Sequence, residues 1–257
     1  METENVYLKP ITLKNIMKFA LPTIAMSLFM AFYTMVDGLF VSNLIGTNAL
    51  SAINLSAPII SLVTAISTML ATGGSAVIMK KAGEKKQQEA NENFTFLIVV
   101  NIVVGIIMTL IGYLCMNMLF SQMDVSADVL HHTKDYLSLY LLFTISILLM
   151  NNFSLYLIAA GKATVSFICS VAGGVLNIVL DYLFIGVIGM GTEGAAIATG
   201  LGYSVTTVVG CIIFCNKKNL LHFTRPHFSF DVLKKSSFQW LLRNGNRPCY
   251  RNHNTDV

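Results

Sequence analysis

The chain has 257 residues, of which 54 % are hydrophobic and only 12 % charged, about half the charged share of an average soluble protein. So few charges cannot solvate a globular surface, which excludes an ordinary soluble domain. The formal net charge of +4 is too modest to indicate a nucleic-acid partner.

Residues 1–15 are expected to form a cytoplasmic N-terminal segment. The stretch from Met1 to Lys18 mixes acidic, basic and apolar residues. It lacks the apolar core and small-residue cleavage site of a signal peptide, so the first helix is expected to remain as an anchor. Crossing the hydrocarbon core takes about 20 apolar residues. Six stretches qualify, at 16–44, 50–79, 93–119, 135–160, 163–187 and 193–215. The expected fold is therefore an all-α polytopic membrane protein, with six transmembrane helices over 16–215 and a cytoplasmic linker over 216–238.

In chain order, the first two spans contain Pro22 and Pro58. Proline removes a backbone donor, so each is a candidate helix kink, either beside a cavity or without consequence. Small residues at Gly173-Gly174 and from Gly194 to Gly202 suit close helix–helix approach. Cysteines at 115, 169, 211, 215 and 249 lie mostly in apolar runs and make no disulfide framework. Cys211 and Cys215 are four apart but have no neighbouring His or further Cys, so no metal site is expected there.

Connector charge sets the topology. Lys80, Lys81, Lys85 and Lys86 follow the second span, Lys162 the fourth, and Lys217, Lys218 and Arg225 the sixth, while Lys9, Lys14 and Lys18 precede the first. The remaining connectors hold Asp124, Asp128 and Glu193, with Lys134 the one dissenter. Positive residues collect on the cytoplasmic side, which places both ends of the six-span unit inside.

Asp37, Asn177 and Asp181 interrupt apolar spans. An intramembrane carboxylate is costly unless paired, protonated or wet, and so points to function; the alternative is a carboxyl that only bonds between helices. At 1.5 Å per residue, Asp37 lies roughly 10 Å and Asp181 roughly 9 Å below the outer surface. Asn177 is one turn deeper on the same face as Asp181, and Thr199 on the sixth span is also roughly 9 Å deep. If the three helices adjoin, two carboxylates, an amide and a hydroxyl meet at one level. Such oxygens suit a proton or Na⁺.

Other polar residues carry less. Asn151 and Asn152 near the inner end of the fourth span are expected to snorkel or cap. His131 and His132 at its outer mouth are expected to be solvated. Thirteen methionines could line an adaptable pocket, though ordinary packing is the commoner use. Walker, HExxH, nucleophile-elbow, haem and dinucleotide signatures are all missing, so no enzyme activity and no bound cofactor are expected.

Several segments resemble the multidrug and toxic compound extrusion (MATE) family. Leu21-Pro22 through Val36-Asp37-Gly38-Leu39-Phe40-Val41 is similar to its first helix, followed by Gly46-Thr47-Asn48-Ala49-Leu50-Ser51-Ala52. Gly173-Gly174-Val175-Leu176-Asn177-Ile178-Val179-Leu180-Asp181 resembles its fifth, and Gly191 through Gly194-Ala195-Ala196-Ile197-Ala198-Thr199 the start of its sixth. The likeness runs from residue 10 to about 238. It implies one lobe of a two-lobe, twelve-helix transporter in the cell membrane, exporting organic cations or drugs by antiport against H⁺ or Na⁺. It also implies that Asp37, Asn177, Asp181 and Thr199 form the cation-coupling site. The implied partners are a small organic cation, membrane lipid, and either a missing C-terminal lobe or a second copy. One departure is Ile158-Ala159-Ala160-Gly161, where the family usually has an arginine before a small residue and glycine.

The resemblance stops near Phe238. A one-nucleotide shift from the codon of Gln239 permits Asn-Gly-Ser-Ser-Glu-Met-Val-Thr-Asp-Leu-Ala-Thr-Ala-Ile-Thr-Thr, which resembles the family's seventh helix. Residues 239–257 are therefore expected to be a frameshifted, disordered tail. Alternative readings are a lipid-linked saccharide flippase of similar architecture, a membrane enzyme using the paired aspartates, or a non-functional truncated fragment.

Overall fold

A computed structural model describes residues 13–121 and 125–226. Among the described residues there are helices and no strands. Helix α1 covers Leu13–Leu44, α2 Thr47–Gly83, α3 Gln87–Ser121, α4 Ala127–Leu142, α5 Thr144–Ala159, α6 Ala163–Asp181 and α7 Thr192–Cys215. A π-helical stretch, Tyr182–Val187, continues α6. Five helices are long and apolar enough to cross a membrane, and α4 with α5 makes a sixth span if counted as one. In lipid every backbone N–H and C=O must be satisfied internally, which helices of this length do.

The spans sit where hydropathy places them, with two differences. The fourth begins at Ala127 rather than 135. The Ser126 side chain accepts a hydrogen bond from the Val129 N–H, and Asp128 stands in the first turn. Cap and carboxylate both stabilise a helix N-terminus, so a polar turn precedes the apolar run. That span also bends by 55° between Leu142 and Thr144. Pro22 and Pro58 lie inside α1 and α2, each of which continues as one helix through its proline. The Phe143 ring occupies the space that a side chain at Gly200 of α7 would fill.

The connections sort into two ends of the bundle. At one, Lys162 donates to Asn219 Oδ1, the Gln87 amide donates to the Leu220 carbonyl, and Lys81 pairs with Glu89. The connections after α2, α5 and α7 therefore meet at an end rich in lysine. At the other, Asn48 Nδ2 donates to Asp128 Oδ2 at 2.7 Å, and His132 Nδ1 lies 3.4 Å from Thr192 Oγ1. That joins the connections after α1, α3 and α6, at an end that carries Asp128, Asp135 and Glu193. The two-sided sorting of charge is thus a property of the fold as well as of the sequence.

The start of the 216–238 segment straps along α3. The Thr224 N–H donates to Thr95 Oγ1 at 3.0 Å, the His222 N–H to Asn91 Oδ1 at 3.3 Å, and Leu221 is buried. Residues 87, 91 and 95 are successive turns of one face. Residues 1–12 and 227–257, and with them the expectation of a frameshifted tail, lie outside the described residues.

Apolar clusters fill the bundle, a small one around Phe120, Leu137 and Leu141 and two larger ones. Ile78, Phe94, Leu97, Phe153, Tyr156 and Phe214 pack towards the lysine-rich end. Val41, Val63, Tyr136, Tyr140, Leu148 and Ile185 form the other. Outside, Leu28, Phe32, Met35, Leu114 and Ile212 are exposed, a surface suited to hydrocarbon rather than water.

Asn152 neither snorkels nor caps. It is fully buried and exchanges hydrogen bonds with Asn101 of α3: Asn152 Nδ2 to Asn101 Oδ1 at 2.8 Å, and Asn101 Nδ2 to Asn152 Oδ1 at 3.2 Å. Each amide also donates to the carbonyl four residues earlier. Asn101→Ala leaves Asn152 half satisfied. We expect a loss of about 0.6–2 kcal/mol, the range for interhelical hydrogen bonds in membranes. Thermal unfolding in detergent checks this, and the Asn101→Leu/Asn152→Leu double variant should recover part of the loss because no amide is orphaned.

Candidate cation site

Three neighbouring helices each present two polar side chains one turn apart: Tyr33 and Asp37 on α1, Asn177 and Asp181 on α6, Thr199 and Tyr203 on α7. The i, i+4 spacing puts each pair on one helix face. Glycines let those faces meet. A Cβ at Gly173 would stand 2.5 Å from the Gly202 carbonyl oxygen, and one at Gly174 would stand 2.6 Å from Phe29 Cε1. Successive residues of α6 thus face α7 and α1.

The four residues singled out in the sequence come together. The Asp37 and Asp181 carboxyl groups are direct neighbours. Asn177 Nδ2 lies 3.4 Å from Thr199 Oγ1. Asp181 is fully buried, Asn177 is 2 % exposed and Thr199 8 %. Asp37 Oδ1, Asn177 Oδ1 and both Asp181 oxygens are buried with no hydrogen-bond donor. Buried acceptors are ordinarily satisfied; here the two carboxyl groups can bond to each other only by sharing a proton, and Asn177 Oδ1 still lacks a donor, so the oxygens of this cluster are short of hydrogens. They are the oxygen donors a hard cation needs, or acceptors for a proton or water.

Beside this cluster is a cavity of about 20 Å³, room for about one water molecule. Asn177 and Thr199 line it, with Tyr33, Tyr203, Met30 and Met150. Tyr33 Oη lies 3.4 Å from Tyr203 Oη. The aromatic members were not singled out in the sequence. The available signal was position, because Tyr33 precedes Asp37 by one turn and Tyr203 follows Thr199 by one. Tyr136 of α4 is within electrostatic range of both carboxyl groups, and no sequence signal marks it. Pro22 and Pro58 line neither cluster nor cavity.

The family model MatE matches residues 22–183. The chain belongs to the MATE family. It is 27 % identical over 214 residues to the multidrug export protein MepA of Staphylococcus haemolyticus, covering 83 % of this chain and 47 % of that one. MepA of Staphylococcus saprophyticus is 25 % identical over 232 residues, covering 88 % and 51 %. An outward-facing multidrug resistance MATE transporter of the MOP superfamily superposes with a TM-score of 0.83 at 26 % identity, covering 93 % of this chain and 55 % of that one. A MOP superfamily transporter from Pyrococcus furiosus, for which reversed pocket polarity suggests a different function, gives the same TM-score, identity and coverage. The chain thus spans about half the length of the curated relatives it matches, and its described helices form a multi-pass MATE lobe.

Proposed function

We propose that the chain acts as the N-terminal lobe of a secondary antiporter that exports organic cations or other drugs in exchange for H⁺ or Na⁺. The observation that carries this reading is the pair of carboxyl groups, Asp37 and Asp181, brought together from two helices beside the unpartnered Asn177 Oδ1. Asn177 and Thr199 complete the coupling site. The names of the MepA relatives support drug export. The adjoining cavity has room for about one water as it stands; opened towards a second lobe, its two tyrosines and two methionines would offer ring faces and polarizable sulfur to an organic cation. No Lys or Arg lines that cavity, which favours a cationic substrate over the anionic lipid-linked saccharide of a flippase.

In this reading the lysine-rich end is cytoplasmic and the N-terminus lies inside. A second lobe, supplied by a C-terminal half or another copy of this chain, closes the substrate pathway. A coupling ion enters from the acidic, outer end and binds between α1 and α6. Exchange follows if ion and substrate stabilise different states, since a ligand shifts an equilibrium only by its differential affinity.

Proteoliposomes carrying the chain, with ethidium as the transported probe, test the reading under an imposed pH or Na⁺ gradient. We expect accumulation under one gradient and its loss when that gradient is collapsed. Ethidium movement that is equal with and without either gradient refutes the antiport, and no movement at all refutes a pathway closed by a second copy.

A further inference from the structure

At the outer end of the bundle, α4 opens with Asp128, His131, His132 and Asp135. The spacing i, i+3, i+4, i+7 sets all four on one helix face. His131 Nδ1 lies 2.6 Å from Asp135 Oδ2, and His132 Nε2 lies 3.8 Å from Asp128 Oδ1. One ligand atom each from His131, His132 and Asp135 falls within 4.8 Å of the others. We propose that this face is a binding site for a Zn²⁺-class transition-metal ion, distinct from the Asp37–Asp181 pair and independent of the antiport reading.

The chemistry and the geometry agree. Two imidazoles and a carboxylate suit Zn²⁺, Ni²⁺ or Cu²⁺, whereas Mg²⁺ and Ca²⁺ prefer all-oxygen sites. Tetrahedral Zn²⁺ with bonds near 2.0–2.2 Å holds its ligand atoms about 3.4 Å apart. The ligand atoms now lie within 4.8 Å of one another, and the largely exposed His131 (76 % of its side chain) has room to rotate. Three protein ligands leave a coordination position to water, an open site rather than a structural one. The positive end of the α4 dipole opposes a cation here. Two carboxylates on the same face offset it.

The surroundings hold His132 and the neighbouring Asp128 in place. Asn48 Nδ2 donates to Asp128 Oδ2 at 2.7 Å, and His132 Nδ1 lies 3.4 Å from Thr192 Oγ1. Contacts of this kind around the ligands fix ligand orientation. They also tie the site to the first turns of α2 and α7. An ion on His132 would stiffen the junction of α4 with α7, whose Thr199 stands two turns along.

The experiment titrates tag-free, metal-stripped chain in detergent with Zn²⁺ by calorimetry, and follows its thermal unfolding with and without Zn²⁺. The expected result is one site that Mg²⁺ does not occupy, together with a rise in Tm on Zn²⁺ addition. His131→Ala and His132→Ala should each weaken binding by about 10–100-fold or more. Because His131 is largely exposed, H131A should keep its metal-free Tm. No Zn²⁺ binding, or binding unchanged in the double H131A/H132A variant, overturns the site.

Discussion

Replacing Asp181 with asparagine is expected to cut gradient-driven ethidium accumulation by about 5–150-fold, the range spanned by a coupling free energy of 1–3 kcal/mol. The fold should not suffer. Asparagine has nearly the shape of aspartic acid, and its amide can donate to Asp37 in place of the hydrogen bond that the two carboxyl groups share. The new amide hydrogens would meet Asp37 Oδ1, itself without a donor. Thermal unfolding should therefore show a Tm unchanged or raised. What the amide removes is the capacity to take up a proton, or to place a negative charge against Na⁺. Asp37→Asn should behave alike. The coupling ion can be read from the same proteins. If it is Na⁺, then Na⁺ raises the Tm of the unaltered chain by mass action and not that of Asp181→Asn. If it is H⁺, Na⁺ moves neither. Full transport by Asp181→Asn sinks the coupling role, whatever its Tm.

Much of this architecture was legible in the sequence, because hydrocarbon imposes simple rules. Spans must be long, apolar and helical, and the positions of the lysines sort the connections into two sides. The level shared by Asp37, Asn177, Asp181 and Thr199 was also computable, since rise per residue is fixed. Lateral adjacency was not. Hydropathy is blind to which helices touch, and the contact of α6 with both α1 and α7 depends on Gly173 and Gly174 facing different ways. The 55° break at Phe143 was invisible because no proline marks it. Asn152 was misread because its position near a span end suggested water. Its partner Asn101 lies 51 residues away, beyond any local pattern. The π-helical stretch directly after Asp181 had no sequence signal either, although such distortions often mark functional sites.

The second large effect is expected at Gly173. It lies one turn before Asn177 on α6, and Gly202 lies close to Thr199 on α7. Each glycine points at the other's backbone: a Cβ at Gly173 would be 2.5 Å from the Gly202 oxygen, and one at Gly202 would be 2.8 Å from the Gly173 oxygen. Backbone cannot rotate aside as a side chain can, so even one methyl group must push the helices apart. Gly173→Ala should cost about 1–3 kcal/mol, as overpacking does. For a chain of this size that lowers Tm by about 2–12 °C. Gly173→Leu should leave little folded protein. Because apolar burial does not drive helices together in lipid, close packing through small residues is one of the terms that hold α6 against α7, and pushing the helices apart weakens it. The 3.4 Å contact of Asn177 with Thr199 should open as well, so Gly173→Ala should weaken any Na⁺-induced Tm rise along with stability. Gly38→Ala is the matched control. A Cβ there meets nothing within 4 Å, and alanine in place of glycine inside a helix should stabilise by roughly 0.5–1 kcal/mol. Equal Tm values for Gly173→Ala and Gly38→Ala would show that α6 and α7 do not meet through these glycines.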